Sequence, residues 1–103
     1  MTESNMTDSE FLELAEKTFI KLSENLENRF SELDTFTEGR VLNLEMDSGV
    51  KVVLNIQEAM RQIWLASPLG GFRYDLVEGS DWRNTKTGTL LLEDVLKALG
   101  ANK

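Results

Sequence analysis

Residues 55 to 76 have the sequence NIQEAMRQIWLASPLGGFRYDL, which is the most informative segment of the chain. Polar and apolar side chains alternate from Gln62 to Ala66, which is typical of a strand with one buried face. If Ile63 and Leu65 face the core, Trp64 stands beside Gln62 on the opposite side of the sheet. A tryptophan that faces solvent is a candidate contact residue, because Trp is enriched at the energetic centres of protein interfaces. The alternative is a second covering layer that buries Trp64.

The alternation continues on both sides of this segment and predicts a series of short antiparallel strands. Glu38-Gly39 and Asp47-Ser48-Gly49 are typical of hairpin turns. Pro68 with Gly70-Gly71 predicts a loop between two later strands. We expect the strands near residues 33–37, 40–46, 50–56, 62–66, 72–76 and 82–84.

Two helices flank the predicted strands. Thr7 can cap the first helix, and Glu10, three residues later, can complete a capping box. The helix should continue to about residue 30, because its apolar residues recur at helical spacing. Residues 90–99 predict a second helix that ends before Gly100. The apolar stripe of the first helix consists of Phe11, Ala15, Phe19, Leu22 and Leu26.

These elements predict the α+β class. The expected architecture is a two-layer α/β sandwich, in which an antiparallel sheet of about six strands carries the N- and C-terminal helices on one face. The other face of the sheet should then be open and mostly polar, with Trp64 at its centre. The predicted open face consists of Lys51, Val53, Asn55, Gln62, Trp64, Arg73 and Asp75.

Length and composition limit the classes of protein that this chain can belong to. A chain of 103 residues and 11.7 kDa has room for one small domain, and we expect a monomer. It has no run of about 18 apolar residues and no basic, apolar signal pattern at its N-terminus, which favours a cytoplasmic protein without a membrane role. The absence of Cys and His excludes thiolate zinc sites and imidazole catalysis. Oxygen ligands for hard cations remain.

Acidic side chains are concentrated in the first half of the chain. Residues 1–50 hold 12 acidic against 4 basic side chains, a net charge of −8, whereas residues 51–103 have a net charge of +1. Such a surface attracts cations and basic proteins and repels nucleic acid. On a helical wheel, four glutamates share an arc of roughly 80°, and two acids after the helix extend it. These six residues are Glu13, Glu16, Glu24, Glu27, Glu32 and Asp34.

The sequence resembles the frataxin family in its bacterial form. The resemblance covers most of residues 6 to 99, and its signature lies in the ordered set Asn55-x-Gln57, Gln62-Ile-Trp-Leu-Ala-Ser-Pro68 and Gly70-Gly-Phe-Arg-Tyr-Asp-Leu76. Trp82 follows, and Asp8-Ser-Glu-Phe11 precedes it. The chain departs from the family at two positions, where Ala59 stands in place of a frequent proline and Ile56 in place of a frequent basic residue. The resemblance therefore does not predict the conformation of the turn at 57–61. We expect a disordered N-terminus over residues 1–6, one frataxin-like domain over 7–100 and a tail over 101–103.

The resemblance implies a non-enzymatic role in iron–sulfur cluster assembly. In the family, the matching acidic region is implicated in binding iron and in docking on the basic surface of a cysteine desulfurase. Carboxylates on an open edge cannot enclose an ion, so we expect the iron sites to be weak. Here the corresponding iron ligands would be Glu13, Glu16, Glu24, Glu27, Glu32 and Asp34. The open sheet face would contact the desulfurase and the iron–sulfur cluster scaffold protein. Its implied contacts are Asn55, Gln57, Gln62, Trp64 and Arg73.

Other hypotheses remain open from the residues alone. The acidic arc is also typical of a solvated helix face that keeps a small protein soluble. An iron-oxidising or hydrolytic enzyme would have to use Asp75 or Asp34, and neither has a histidine or thiol partner. A third possibility is an acidic adaptor, or a mimic of nucleic acid, that binds no metal.

Overall fold

A computed structural model describes residues 6–77 and 81–100. The elements follow the order α1 (Asp8–Arg29), β1 (Leu33–Glu38), β2 (Val41–Met46), β3 (Lys51–Gln57), β4 (Gln62–Ser67), β5 (Gly70–Val77), β6 (Asp81–Asn84) and α2 (Leu91–Leu99). Residues 1–5 and 101–103, on which the expectations of a disordered N-terminus and a tail fall, lie outside the described residues. Within the described part of the chain, no helix is both long and apolar enough to cross a membrane.

The six strands form one antiparallel sheet in which each strand pairs with its neighbour in the sequence. The predicted alternation fixes the register. Ile63 lies opposite Ile56 on one side and Tyr74 on the other, and all three are buried. Alternate residues of each strand therefore face the helices and build a continuous core. The predicted two-layer α/β sandwich is confirmed.

The start of α1 shows the predicted capping box. The Thr7 hydroxyl accepts a hydrogen bond from the Glu10 amide at 3.1 Å, and the Glu10 carboxylate accepts one from the Thr7 amide at 3.0 Å. Both amides would otherwise lack partners within the helix. The predicted apolar stripe is buried along its whole length. Burial of this stripe against the sheet, rather than helix propensity, accounts for most of the helix stability.

The prediction of a loop at Gly70-Gly71 is wrong. Both glycines belong to β5, and Gly70 pairs with Ser67 of β4, so the connection consists of Pro68 and Leu69 alone. The Ser67 hydroxyl accepts a hydrogen bond from the Leu69 amide and donates one to the Gly70 carbonyl. Gly70 has φ of +129°, which only glycine adopts readily.

A polar network joins the start of α2 to strands β5 and β6. The Asp94 carboxylate accepts hydrogen bonds from the Tyr74 hydroxyl at 2.6 Å, the Thr89 hydroxyl at 2.8 Å and the Asn84 side-chain amide at 3.1 Å. Burial opposes ionisation of Asp94, but these hydrogen bonds outweigh it and hold its pKa below the ordinary value. Burial, followed by the bond to Asp94, raises the pKa of Tyr74, so its hydroxyl stays protonated as a donor.

We predict that Asp94→Asn lowers the free energy of unfolding at pH 7 by about 2 kcal/mol, because a charged acceptor of three hydrogen bonds is lost. The lowered pKa means that the stabilisation is complete above the ordinary pKa of an aspartate, about 3.9, and is lost as the pH falls below it. Urea denaturation from pH 7 to pH 3 should therefore show the wild-type and variant stabilities converging in acid. Glu93→Gln, which removes an exposed charge from the same helical turn, is the control. A stability difference that is equal at both ends of the range would contradict the assignment.

Candidate functional site

Cross-strand pairing places the predicted contact residues side by side on the open face of the sheet. Asn55 of β3 lies directly opposite Trp64 of β4, and Trp64 lies directly opposite Arg73 of β5. Gln57 and Gln62 form the adjacent pair. Directly opposite residues on one face have Cβ atoms about 5 Å apart. The sequence-predicted partner-binding residues therefore form one contiguous surface, which we call the Trp64 face (Asn55, Gln57, Gln62, Trp64 and Arg73).

Two neighbours hold the Trp64 indole in place. The indole N–H donates a hydrogen bond to the Gln62 side-chain oxygen at 2.8 Å, and the Arg73 guanidinium carbon lies 4.5 Å from the ring centroid. The Gln62 amide nitrogen donates in turn to the Asp75 carboxylate at 3.0 Å. Trp64 is half-buried and belongs to the face that both helices leave uncovered, so its predicted position on the open side is confirmed. A guanidinium over an indole contributes a cation–π attraction of about 0.5–1 kcal/mol at an exposed site.

A depression of about 330 Å³ lies beside the ring. Its lining includes Val53 and Ala66, which pair across β3 and β4, and Gly71, which pairs with Ala66 from β5. These side chains are small or absent, so the sheet surface is recessed beside the larger Trp64 side chain. A rigid aromatic side chain beside a shallow apolar depression is an arrangement found at the centres of protein interfaces.

Arg61 anchors the turn between β3 and β4, whose conformation the resemblance did not predict because of the departure at Ala59. Arg61 adopts a left-handed conformation with φ of +55°. Its guanidinium donates hydrogen bonds to the Met6 carbonyl at 2.9 Å and to the Asp8 carboxylate at 2.7 Å, and it lies over the Phe11 ring. The turn beside the Trp64 face is thus fixed to the start of α1. No local sequence signal pointed to Arg61, because its partners are more than 50 residues away.

Phe36 is a surface residue that the sequence analysis missed. It lies on the open side of β1, the edge strand, and 51% of its surface is exposed. The signal was available in principle, since Asp34, Phe36 and Glu38 alternate with residues that face the helices. This exposed phenylalanine extends the apolar part of the open face to β1, where Asp34 and Glu38 point to the same side.

The acidic residues occupy a second surface, on α1. Glu13, Glu16, Glu24 and Glu27 are all exposed along the outer side of the helix, as the helical wheel predicted. Ile20 lies among them and is 59% exposed. The Glu27 carboxylate accepts a hydrogen bond from the Thr35 hydroxyl at 2.5 Å, which connects the helix to β1.

The six predicted iron ligands do not converge on one site. Asp34 lies opposite Glu45 on the open face of the sheet, whereas Thr35, which contacts Glu27, faces the helix side. Glu32 precedes β1 in the turn that follows α1. In the described residues, no three carboxylates come close enough together to hold a metal ion between them. We call the four helix glutamates the α1 ridge (Glu13, Glu16, Glu24 and Glu27).

These features place the chain among small acidic proteins with a two-layer α/β fold. Both helices cover one face of the sheet, the Trp64 indole is held on the open face, and α1 is acidic. The chain matches the family model of the frataxin-like domain over residues 4–102. It belongs to the frataxin-like family.

Relatives from bacteria are similar along most of their length. The iron–sulfur cluster assembly protein CyaY of Paraburkholderia phymatum is 36% identical over 84 residues, which make up 82% of this chain and 79% of that protein. CyaY of Vibrio parahaemolyticus is 37% identical over 90 residues, covering 87% and 86% of the two chains.

Solved structures show the same fold. Frataxin from Psychromonas ingrahamii superposes with a TM-score of 0.84 at 30% identity, covering 95% of this chain and 92% of that one. A trimeric frataxin from Saccharomyces cerevisiae, complexed with ferrous iron, superposes with a TM-score of 0.71 at 29% identity, covering 85% and 83%. The resemblance inferred from the sequence motifs is confirmed.

Proposed function

We propose that this protein is a non-catalytic, iron-binding regulator of iron–sulfur cluster assembly. The proposal is supported by the bacterial relatives, which are named as iron–sulfur cluster assembly proteins, and by the yeast relative complexed with ferrous iron. The main structural support is the Trp64 face, where a fixed indole and an arginine lie on an uncovered sheet surface. In this proposal the protein is a cytoplasmic monomer, and its partners are a cysteine desulfurase and the cluster scaffold protein.

The Trp64 face is suited to a protein partner for a physical reason. Ordering a free side chain at an interface costs about 0.5–1.5 kcal/mol, and the indole of Trp64 is already held by Gln62 and Arg73. The partner therefore meets a surface that is organised before binding. Asn55 and Gln57 add hydrogen-bonding groups beside the ring.

The α1 ridge is suited to a basic surface on the desulfurase. Four exposed carboxylates on one side of a helix produce a local negative potential that accelerates encounter with a basic partner and makes binding sensitive to salt. Glu13 and Glu16, like Glu24 and Glu27, are one turn apart, with Cβ atoms about 5–6 Å from each other. Each pair offers iron at most a few oxygens on an open surface, so iron should be held weakly, with water completing its coordination. Weak, exchangeable binding is consistent with iron as cargo.

We predict that Trp64→Ala lowers the affinity for the scaffold protein or the desulfurase by at least tenfold, as removal of a central interface aromatic does. The free energy of unfolding should change little, because the indole lies outside the core. Isothermal titration calorimetry measures the affinity, and a melting curve measures the stability. Leu69→Ala, which truncates an exposed apolar side chain in the β4–β5 turn, is the control and should keep the wild-type affinity. Unchanged binding of a folded Trp64→Ala variant to both partners would refute the role of the Trp64 face.

We predict that Glu24→Lys combined with Glu27→Lys weakens desulfurase binding and flattens its dependence on ionic strength. The reason is that two attractions to a basic surface become repulsions. Affinity measured across a series of salt concentrations tests this. Asp47→Lys combined with Glu93→Lys makes the same change of net charge at exposed positions away from the ridge. Equal loss in both double variants would show that only net charge matters.

The same variants separate iron binding from protein docking. Anaerobic calorimetry with Fe²⁺ should show weak binding to the wild-type protein, competition by Mg²⁺ and a reduced heat in the ridge variant. Ferrous oxidation in the presence of the protein should be no faster than in buffer. Absence of any Fe²⁺ binding would remove iron from the proposal and leave an adaptor, and a protein-dependent oxidation rate would favour an enzyme.

A further inference from the structure

A groove between the two helices forms a third surface, separate from the Trp64 face and the α1 ridge. Its volume is about 470 Å³. Residues 14–25 of α1 form one wall, and Trp82 of β6 with residues 90–92 at the start of α2 form the floor and the other wall. The groove is open to solvent along its length between the two helices. At 1.5 Å per residue, the α1 wall is roughly 16 Å long, or three helical turns.

The floor of the groove is apolar, and its polar groups have partners. The Trp82 indole N–H donates a hydrogen bond to the Thr18 hydroxyl at 2.9 Å, and that hydroxyl donates to the Leu14 carbonyl at 2.8 Å. The Trp82 ring packs edge-on against Phe11, with 5.8 Å between ring centroids, and is almost completely buried. Leu14 and Leu92, by contrast, are only half-buried. The groove therefore offers apolar contacts, and the polar groups of its floor need no hydrogen bond from a ligand.

The α1 wall of this groove presents two lysine side chains, although the protein carries a net charge of −7. Lys17 and Lys21 are both exposed and lie one turn apart on the helix. In the described part of the chain, neither forms an ion pair. Asp81, on the β6 side, is the carboxylate among the lining residues. The groove thus combines an apolar floor with two cations along one wall.

We infer that the groove is a docking site for an acidic amphipathic helix of a partner protein. Such a helix would place leucine-like side chains at i, i+3, i+4 and i+7 against Leu14 and Leu92, and its carboxylates beside Lys17 and Lys21. The length of the α1 wall fits about three turns of a helix. The groove is open along its side, whereas sites for small molecules enclose most of the ligand surface. The charge of the wall selects an acidic partner segment and disfavours a basic one.

A synthetic helical peptide of about 14 residues, with leucines at those spacings and glutamates on the flanks, tests the assignment. The experiment uses a Trp64→Phe variant of the protein. Trp82 is then the remaining tryptophan, and its fluorescence reports directly on the groove. The glutamate peptide should change Trp82 emission in a saturable way. Adding Lys17→Glu with Lys21→Glu should lower the peptide affinity about tenfold, because two attractions become repulsions.

Matched controls determine the meaning of each result. Lys86→Glu with Lys97→Glu makes the same change of net charge outside the groove and should keep the affinity within about twofold. A second peptide, with lysine in place of glutamate, should bind more weakly than the first. Equal binding of the two peptides, equal loss in both double variants, or no response of Trp82 would overturn the assignment. Self-association in sedimentation that the peptide reverses would instead identify a second copy as the occupant and would also overturn it.

Discussion

The structure depends on the burial of one side of a single sheet. Apolar side chains face the helices at every second residue of β2 and β3, and at Ile63 and Leu65 of β4. Burying one such side chain contributes about 1.5–3 kcal/mol. The intervening residues of these strands necessarily point the other way, because successive side chains of a strand alternate. Two helices cover one face, and the opposite face stays accessible. The Trp64 face is thus a consequence of how the core is built.

Each helix is held at its start by a polar anchor that reaches into the sheet. Arg61 connects the β3–β4 turn to the beginning of α1, and Asp94 connects α2 to Tyr74 and Asn84. These contacts join elements that are distant in sequence, so they fix the orientation of the helices on the sheet rather than their formation. Arg61 lies in the turn next to Gln57 and Gln62. The geometry of this end of the Trp64 face therefore depends on the position of α1. Arg61 thus links the turn beside the Trp64 face to the helix that carries the α1 ridge.

Local patterns in the sequence were enough to predict the layers. Alternation located all six strands within a few residues, and the capping pair Thr7 and Glu10 located the start of α1. The strand prediction failed at Gly70-Gly71, because paired glycines are typical of loops. The two-residue connection is stabilised by the hydrogen bonds of the Ser67 hydroxyl, which are visible only in the structure. Of the candidate site, the pattern placed Trp64 and the four helix glutamates correctly. The pattern could not show that Arg73 lies over the indole or that Arg61 holds the adjacent turn, because these relations depend on register and on contacts between distant segments.

Cross-saturation NMR determines whether the uncovered face of the sheet contacts a protein partner. Isotope-labelled protein is mixed with the unlabelled scaffold protein, and saturation is transferred from the partner to the residues that touch it. If the Trp64 face is the contact surface, the signals of the Trp64 indole, Asn55 and Arg73 are attenuated, while that of the buried Trp82 indole is unaffected. Attenuation confined to residues outside the open face, with Trp64 unchanged, would contradict this role of the face.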